Sequence, residues 1–395
     1  MNNGTIIYIG SFELPDKNAA AHRVIANGKA MRDLGYNVVF IGSDNSGSFE
    51  ELDQKKEIFF GFDSYKRAKP KKTVEWFRYL INIDLYKDII NKYENVEAII
   101  GYNLPALVLI KLKSAARLRN IKIFCDCTEW YEIKKKGNTL LKYLVRYLDV
   151  YFRMKIINFK LDGVIAISEY LFNYYNKGVQ TVQIPPLVDA QDEKWKNEIH
   201  KSFKEIQLFY AGTPFSLYKD PSYKDRVDLI IRSLYELKKD GITFQMHIIG
   251  IEKGEVLYNF PDLSIMLEYL EDGVNFYGKL PHLEVIQILK TVDFSLFLRY
   301  NSKSVMAGFP TKFVESISCG IPVLTNKNSN IDDYLIEGVN GFWIDMNNPE
   351  SLQTSLKKAL SNSSEQIYEM KKSCYNSKIF DYRNYTETFK VLFKE

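Results

Sequence analysis

Cysteine, long apolar runs and several familiar motifs are scarce or missing in this chain, and each absence excludes a class of protein. The 395 residues hold four cysteines, Cys125, Cys127, Cys319 and Cys374, with neither metal-ligand spacing nor a disulfide framework, which fits a reducing cytoplasm. Cys125-x-Cys127 reads as a strand end rather than a metal clip. No apolar run reaches the roughly 18 residues that span a bilayer, and no basic leader precedes the first apolar strand at Thr5. Neither a membrane span nor a secretory signal is expected. No G-x-G-x-x-G follows that strand, which disfavours a dinucleotide-binding oxidoreductase because the phosphate turn is missing.

What is present suits a globular protein of two domains. Hydrophobic residues make up 46% and charged residues 26%, enough for two cores of comparable size, and the aromatic share is a high 14%. The net charge of +4 hides an asymmetry: residues 1–190 hold 28 Lys/Arg against 21 Asp/Glu, and residues 191–395 hold 25 against 28. A basic first half suits phospholipid headgroups, an anionic acceptor or nucleic acid. Nucleic acid is not expected, because no recognised module accompanies the charge.

The stretch from Ala307 to Thr325 organises the rest. It reads as loop, short helix and strand, with Pro310 in the first turn, Gly320 as the left-handed stop and Pro322 preventing continuation. A helix N-terminus there offers N–H groups and a positive dipole end to an anion such as a diphosphate, and Lys312 adds charge. Glu315, one turn on beside Thr311 and Lys312, has a carboxylate suited to two sugar hydroxyls. Ordinary capping accounts for the same helix pattern.

Along the chain, strands alternate with helices. Thr5–Gly10, a helix from Ala19 to Leu34 and Asn37–Ile41 form a βαβ unit; a helix from Thr73 to Tyr93, strand 96–100, helix 105–119 and strand 121–125 continue it. Such alternation predicts parallel sheets covered on both faces, with function at the C-terminal strand ends. The strand ending at Cys125 runs into Asp126-Cys127-Thr128-Glu129-Trp130-Tyr131-Glu132, a polar and aromatic group suited either to sugar recognition or to capping with buried rings. Residues 134–160 interleave lysines and arginines with Tyr and Phe against the single acid Asp149, so they form either a membrane-surface helix or a long helix packed on the sheet. Pro185-Pro186 and a polar run to about Lys204 mark the domain boundary.

The second half restarts at Ile206–Tyr210. Gly212 follows where backbone can approach a ligand, and Lys219 and Lys224 lie in a polar loop before a helix opening at Asp225. Arg299 comes directly off the strand Asp293–Leu298.

The segment Gly308-Phe-Pro-Thr-Lys-x-x-Glu315 with Cys319-Gly-x-Pro-Val resembles the donor-binding motif of the retaining family 4 glycosyltransferases, also called glycosyl transferases group 1, and within them a bacterial polysaccharide-type branch. The wider family has a glutamate where this chain has Ala307. The resemblance implies a GT-B architecture, two Rossmann-like domains facing across a cleft: an acceptor domain over residues 1–190, a nucleotide-sugar domain over 191–380, and a terminal helix, 381–395, crossing back to the first. It implies retaining, metal-independent, hexosyl-type transfer from a nucleotide diphosphate sugar to a glycan or lipid-linked acceptor in polysaccharide or capsule assembly. The enzyme would be cytoplasmic or peripheral at the inner membrane face through residues 134–160.

In that frame the catalytic candidates are Lys224, Arg299 and Glu129. Gly10, Gly212, Tyr277, Gly278, Phe309, Pro310, Thr311, Lys312 and Glu315 are the expected donor contacts, while His22 and Arg23 are either substrate contacts or ordinary helix-surface residues. No cofactor is expected. No Asp-x-Asp metal clamp is present, so the diphosphate is expected to meet Lys224, Arg299 and backbone dipoles instead. Two other readings stand beside this one, a non-catalytic sugar-nucleotide-binding partner protein and a sugar-nucleotide epimerase of the same architecture.

Overall fold

The computed structural model describes residues 3–15, 17–44, 55–133, 140–201, 205–215 and 224–393. The chain divides into two compact units, one of Met1–Val188 with Ala307–Phe309 and Asp381–Glu395, the other of Asp189–Met306 with Pro310–Phe380.

The first unit is built on an eight-stranded sheet. Its strands are β1 (Thr5–Gly10), β2 (Asn37–Asp44), β3 (Glu57–Phe59), β4 (Phe62–Ala68), β5 (Val96–Tyr102), β6 (Lys122–Cys127), β7 (Gly163–Ala166) and β8 (Thr181–Gln183), in the order β3-β4-β2-β1-β5-β6-β7-β8. All neighbours run parallel except β3 and β4. Every residue of β1 is buried, as a central strand covered on both faces requires. The accompanying helices are α1 (Ala19–Asp33), α2 (Thr73–Ile81), α3 (Asp84–Ile90), α4 (Ala106–Arg117), α5 (Leu140–Phe152) and α6 (Glu169–Tyr175). Asn18 and Ser168 cap α1 and α6 through their side-chain oxygens.

Two departures from the sequence reading have local causes. The single helix expected from Thr73 to Tyr93 is two, because Asn82 turns extended and its side chain accepts from Asp84 N at 2.7 Å, starting a new helix. The β3–β4 hairpin was not foreseen. It closes through Phe60 and Gly61, both with positive φ, the geometry of a tight two-residue hairpin turn.

A buried ionic network ties this unit together. Arg23, 3% exposed, donates from Nε and Nη2 to Asp126 at 2.8–3.1 Å and from Nη1 to the carbonyls of Ile184 and Pro185. Tyr8 OH donates to Asp126 Oδ2 at 2.5 Å and accepts from Asn27 Nδ2 at 3.1 Å. Burial, and then the Asp126 charge, push the Tyr8 phenol well above its ordinary range. Arg23 is therefore an interior residue, not one of the helix surface.

The second unit carries a six-stranded parallel sheet, β11-β10-β9-β12-β13-β14, from β9 (Ile206–Ala211), β10 (Phe244–Ile249), β11 (Val274–Phe276), β12 (Phe294–Phe297), β13 (Val323–Thr325) and β14 (Gly341–Trp343). Its helices are α7 (Val227–Lys239), α8 (Lys253–Asn259), α9 (Ser264–Tyr269), α10 (His282–Thr291), α11 (Lys303–Ala307), α12 (Thr311–Ser318), α13 (Pro349–Leu360) and α14 (Ser364–Ser377). The strand order reverses between β9 and β12, which is where open sheets of this kind leave a crevice for ligands. Helix α15 (Thr386–Phe393) belongs to the first unit, where Phe389 and Leu392 enter the core with Tyr8 and Phe124. Both sheets have the Rossmann-like α/β form expected from the alternation.

Candidate active site

At the strand-order reversal of the second unit, a buried arginine and a largely buried lysine meet on one buried carboxylate. Arg299, just beyond β12, directs Nε to Asp225 Oδ1 at 2.6 Å, and Lys312, in the first turn of α12, directs Nζ to Asp225 Oδ2 at 2.5 Å. Tyr210, near the end of β9, donates its hydroxyl to the same Oδ2 at 3.0 Å. The Lys312 ammonium also lies over the Tyr210 ring, 4.3 Å from its centroid. Arg299 is fixed along its backbone too: its N–H donates to Asn326 Oδ1 at 2.8 Å and its carbonyl accepts from Asn326 Nδ2 at 2.7 Å.

The electrostatics follow from burial. Desolvation would raise the Asp225 carboxyl, but Lys312 and then Arg299 outweigh it and hold it below the usual carboxylate range. Desolvation lowers Lys312 to about 8, with Asp225 opposing the shift and Arg299 and Lys224 adding to it. Two cations share one carboxylate, so the cluster carries a surplus positive charge at the N-terminal end of α12.

Glycine makes the floor of this region. Gly212, Gly250 and Gly278 end β9, β10 and β11 side by side: Gly212 N donates to Ile249 O at 3.0 Å, and Gly250 N donates to Gly278 O at 2.7 Å. Gly250 has φ +95°, and a Cβ there would stand 2.4 Å from Gly212 O. A Cβ on Gly212 would stand 2.8 Å from Tyr210 OH and 3.0 Å from Lys312 Nζ. The backbone is thus bare where the cations gather.

Of the residues singled out from sequence, Gly212, Arg299 and Lys312 meet in this cluster, and Pro310 and Thr311 stand at the start of the same helix, with Pro310 as its N-cap. Glu315 lies one turn on and meets His282 Nε2 at 3.0 Å through Oε1. Tyr277 and Gly278 close the β11 side, the Tyr277 hydroxyl meeting His247 Nδ1 at 2.8 Å. Lys224 is exposed, near enough to lower Lys312 but outside the buried cluster. Lys219 lies outside the described residues.

The other candidates fall in the first unit. Glu129 is exposed beyond β6. Gly10 ends β1, and its missing Cβ is explained by β5, since one would stand 2.3 Å from Tyr102 O. Phe309 is buried and groups with that unit, as does Ala307, whose carbonyl accepts from Ser168 Oγ at 2.8 Å. Sequence reasoning missed Asp225, Tyr210, Gly250 and His282. Asp225 sits in the run Lys224-Asp225-Arg226, which reads as a solvated loop and helix start; only its distant partners make it a hub.

Residues 204–377 match the family model for glycosyl transferases group 1. An uncharacterized glycosyltransferase of Methanocaldococcus jannaschii is 22% identical over 355 residues, covering 79% of this chain and 88% of that protein. Among solved structures, the catalytic domain of starch synthase IV from Arabidopsis thaliana, bound to ADP and acarbose, superposes with a TM-score of 0.69 at 12% identity, covering 99% of this chain and 98% of the other. Anabaena HepE in complex with UDP and glucose gives 0.59 at 13% identity, with 98% of each chain covered. Neither the partner-protein reading nor the epimerase reading is favoured by these likenesses. The whole chain has the GT-B fold of these solved structures, and residues 204–377 carry the match to glycosyl transferases group 1.

Proposed function

We propose that this chain is a retaining, metal-independent transferase of family 4 that moves a sugar from a nucleotide diphosphate sugar to an acceptor hydroxyl in cell-surface polysaccharide or glycoconjugate assembly. The observation that carries the donor half is the Asp225-bridged pair of Arg299 and Lys312 at the N-terminus of α12, beside three bare glycines. A diphosphate gains negative charge as the glycosidic bond breaks, and prealigned buried cations stabilise that charge more than they stabilise the bound donor. Lys224 adds charge from the surface, Glu315 accepts from ribose hydroxyls, and Tyr277 packs near the base. The nucleotides bound by HepE and starch synthase IV support this donor class.

For the acceptor half, Glu129 is the contact to the reacting hydroxyl, and the acceptor is a glycan or a lipid-linked glycan. The reading extends to a cytoplasmic enzyme working at the inner face of a membrane through residues 134–160, supported by the basic and aromatic residues of that stretch.

The test is a thermal-shift panel of UDP, GDP, dTDP, ADP and CMP, with and without a chelator, on wild type and Glu315→Ala. One nucleotide is expected to stabilise the protein by about 2.7 kcal/mol at roughly 100 times its dissociation constant. The shift should survive chelation and shrink in the variant. No stabilisation by any nucleotide at millimolar concentration overturns the donor reading, and an inverted anomeric product by NMR overturns retention.

A further inference from the structure

We infer that α2, α4 and α5 of the first unit together form a face that seats on an anionic lipid bilayer by inserting apolar side chains, with α5 lying along the surface. This deepens the membrane half of the proposed function and is tested independently of donor binding.

Helix α5 has no buried residue. Leu140, Leu144, Tyr147, Leu148 and Tyr151 recur every three or four positions, so they share one stripe, and each is 45–61% exposed. Asp149, on the opposite side of the helix, accepts from Ala106 N at 2.7 Å and fastens α5 to the start of α4. The helix thus turns Asp149 toward the fold and its apolar stripe outward, with Arg146 still exposed and Lys142 partly so. Tyr147 stacks between Tyr143 and Tyr151, at centroid distances of 6.4 and 6.3 Å, forming a row of amphipathic rings of the kind enriched at membrane interfaces.

The neighbouring helices also expose apolar side chains. Leu107 and Ile110 on α4 are 50% and 40% exposed, and Val74 and Phe77 on α2 are 67% and 37% exposed. Lys111 Nζ on α4 donates to Ile81 O at the end of α2 at 2.8 Å, so the three helices are joined in sequence α2-α4-α5. Isolated exposed leucines need no explanation, but a stripe on α5 with further exposed apolar residues on the two helices joined to it does.

Charge selects the occupant. The three helices carry Arg78, Lys111, Lys113, Arg117, Lys142 and Arg146 against two acids, and both acids are spent on helix N-termini, Glu75 on α2 and Asp149 on α4. Anionic headgroups complement that surplus. A second copy of the chain would bring the same surplus of positive charge to the contact. At 13 residues, about 20 Å, α5 is too short to cross the roughly 30 Å hydrocarbon core, so it lies in the interface.

Cosedimentation of the full chain with phosphatidylcholine vesicles, with and without about one-quarter phosphatidylglycerol, tests this. Binding is expected to the mixed vesicles, with a fraction surviving high salt because apolar insertion is not screened. The double variant Leu144→Ser/Leu148→Ser should bind at least about tenfold more weakly, whereas Lys142→Glu/Arg146→Glu should lose the preference for anionic lipid. Wild-type protein that stays in the supernatant with mixed vesicles overturns the inference, as does the serine variant binding like wild type. A wild-type dimer in sedimentation velocity that the serine pair converts to monomer, with no lipid binding, assigns the face to a second copy instead. The nucleotide thermal shift is run on the same variants: vesicle binding without any nucleotide shift would remove the donor reading and leave this one standing.

Discussion

The Lys312 ammonium and the Asp225 carboxylate lie 2.5 Å apart, yet the lysine keeps a second cation, Arg299, on the far oxygen of the same acid. The acid therefore aims both cations, and among the described residues it leaves one positive charge of the cluster unmatched. Asp225→Asn removes the aim and leaves two buried cations to repel one another. Loss of about 3–5 kcal/mol of stability is expected in urea unfolding at pH 7, together with weaker nucleotide binding by calorimetry. A variant with wild-type stability would show that the triad is not formed in solution.

The pH dependence has a definite sign. Lys312 titrates near 8 in the folded protein, below its ordinary 10.5, so the folded state sheds its proton first and this group opposes folding below pH 8. That penalty is relieved as pH rises from about 8 to 10.5. Asp225, held low, acts oppositely: its contribution is present above the ordinary carboxylate range and is lost as pH falls through its folded value. Nucleotide affinity should fall as pH rises through 8, by at most about tenfold per unit. At pH 8.5 binding should take up protons, seen as a buffer-dependent calorimetric enthalpy. Lys312→Met is expected to flatten both effects; an unchanged profile in that variant would assign them to another group.

Glu315→Ala should weaken nucleotide diphosphate binding by about 1.5–3 kcal/mol with the melting temperature of the free protein little changed. His282→Ala, which removes the partner at 3.0 Å, should raise donor KM more than it lowers kcat. An equal loss in both would make His282 a participant in the transition state rather than a positioning residue.

Gly250→Ala is expected to destabilise by roughly 1–3 kcal/mol from backbone strain alone, and more because its Cβ would press on the Gly212 carbonyl. Gly212→Ala acts differently, pushing on Lys312 and Tyr210. Its signature should be weaker nucleotide binding with a smaller fall in melting temperature, measured side by side.

In the first unit, Arg23→Met alone should cost about 3–5 kcal/mol by leaving Asp126 buried without its partner, while Arg23→Met/Asp126→Leu should recover much of that loss. Denaturant unfolding of the single and double variants measures the coupling directly. A double variant no better than the single would shift the weight to the Tyr8 and Ile184 contacts.

Much of this was legible in the residues. The strand run Thr5–Gly10 announces itself because a strand buried on both faces is nearly continuously apolar. Pro310 and Gly320 bracket α12 for reasons local to the backbone. The hub at Asp225 was not legible, because its meaning lies in Arg299 and Lys312, 74 and 87 positions away. Arg23 was misread for the same reason: a basic residue in a first helix turn looks solvated until Asp126 is brought beside it. The Phe60-Gly61 hairpin was missed because phenylalanine seldom takes a positive φ, so the dipeptide carries little turn signal.

The return of residues 381–395 to the first unit sets an order for biosynthesis. Tyr382, Phe389 and Leu392 complete a core whose other buried members are made early, with the second unit lying between. At ordinary translation rates the roughly 190 intervening residues take about 10–40 s to emerge. For that interval the first unit waits on the ribosome with an open core, while the second, whose strands are contiguous, can close. A change that disturbs α15 would therefore damage the unit that was synthesised first.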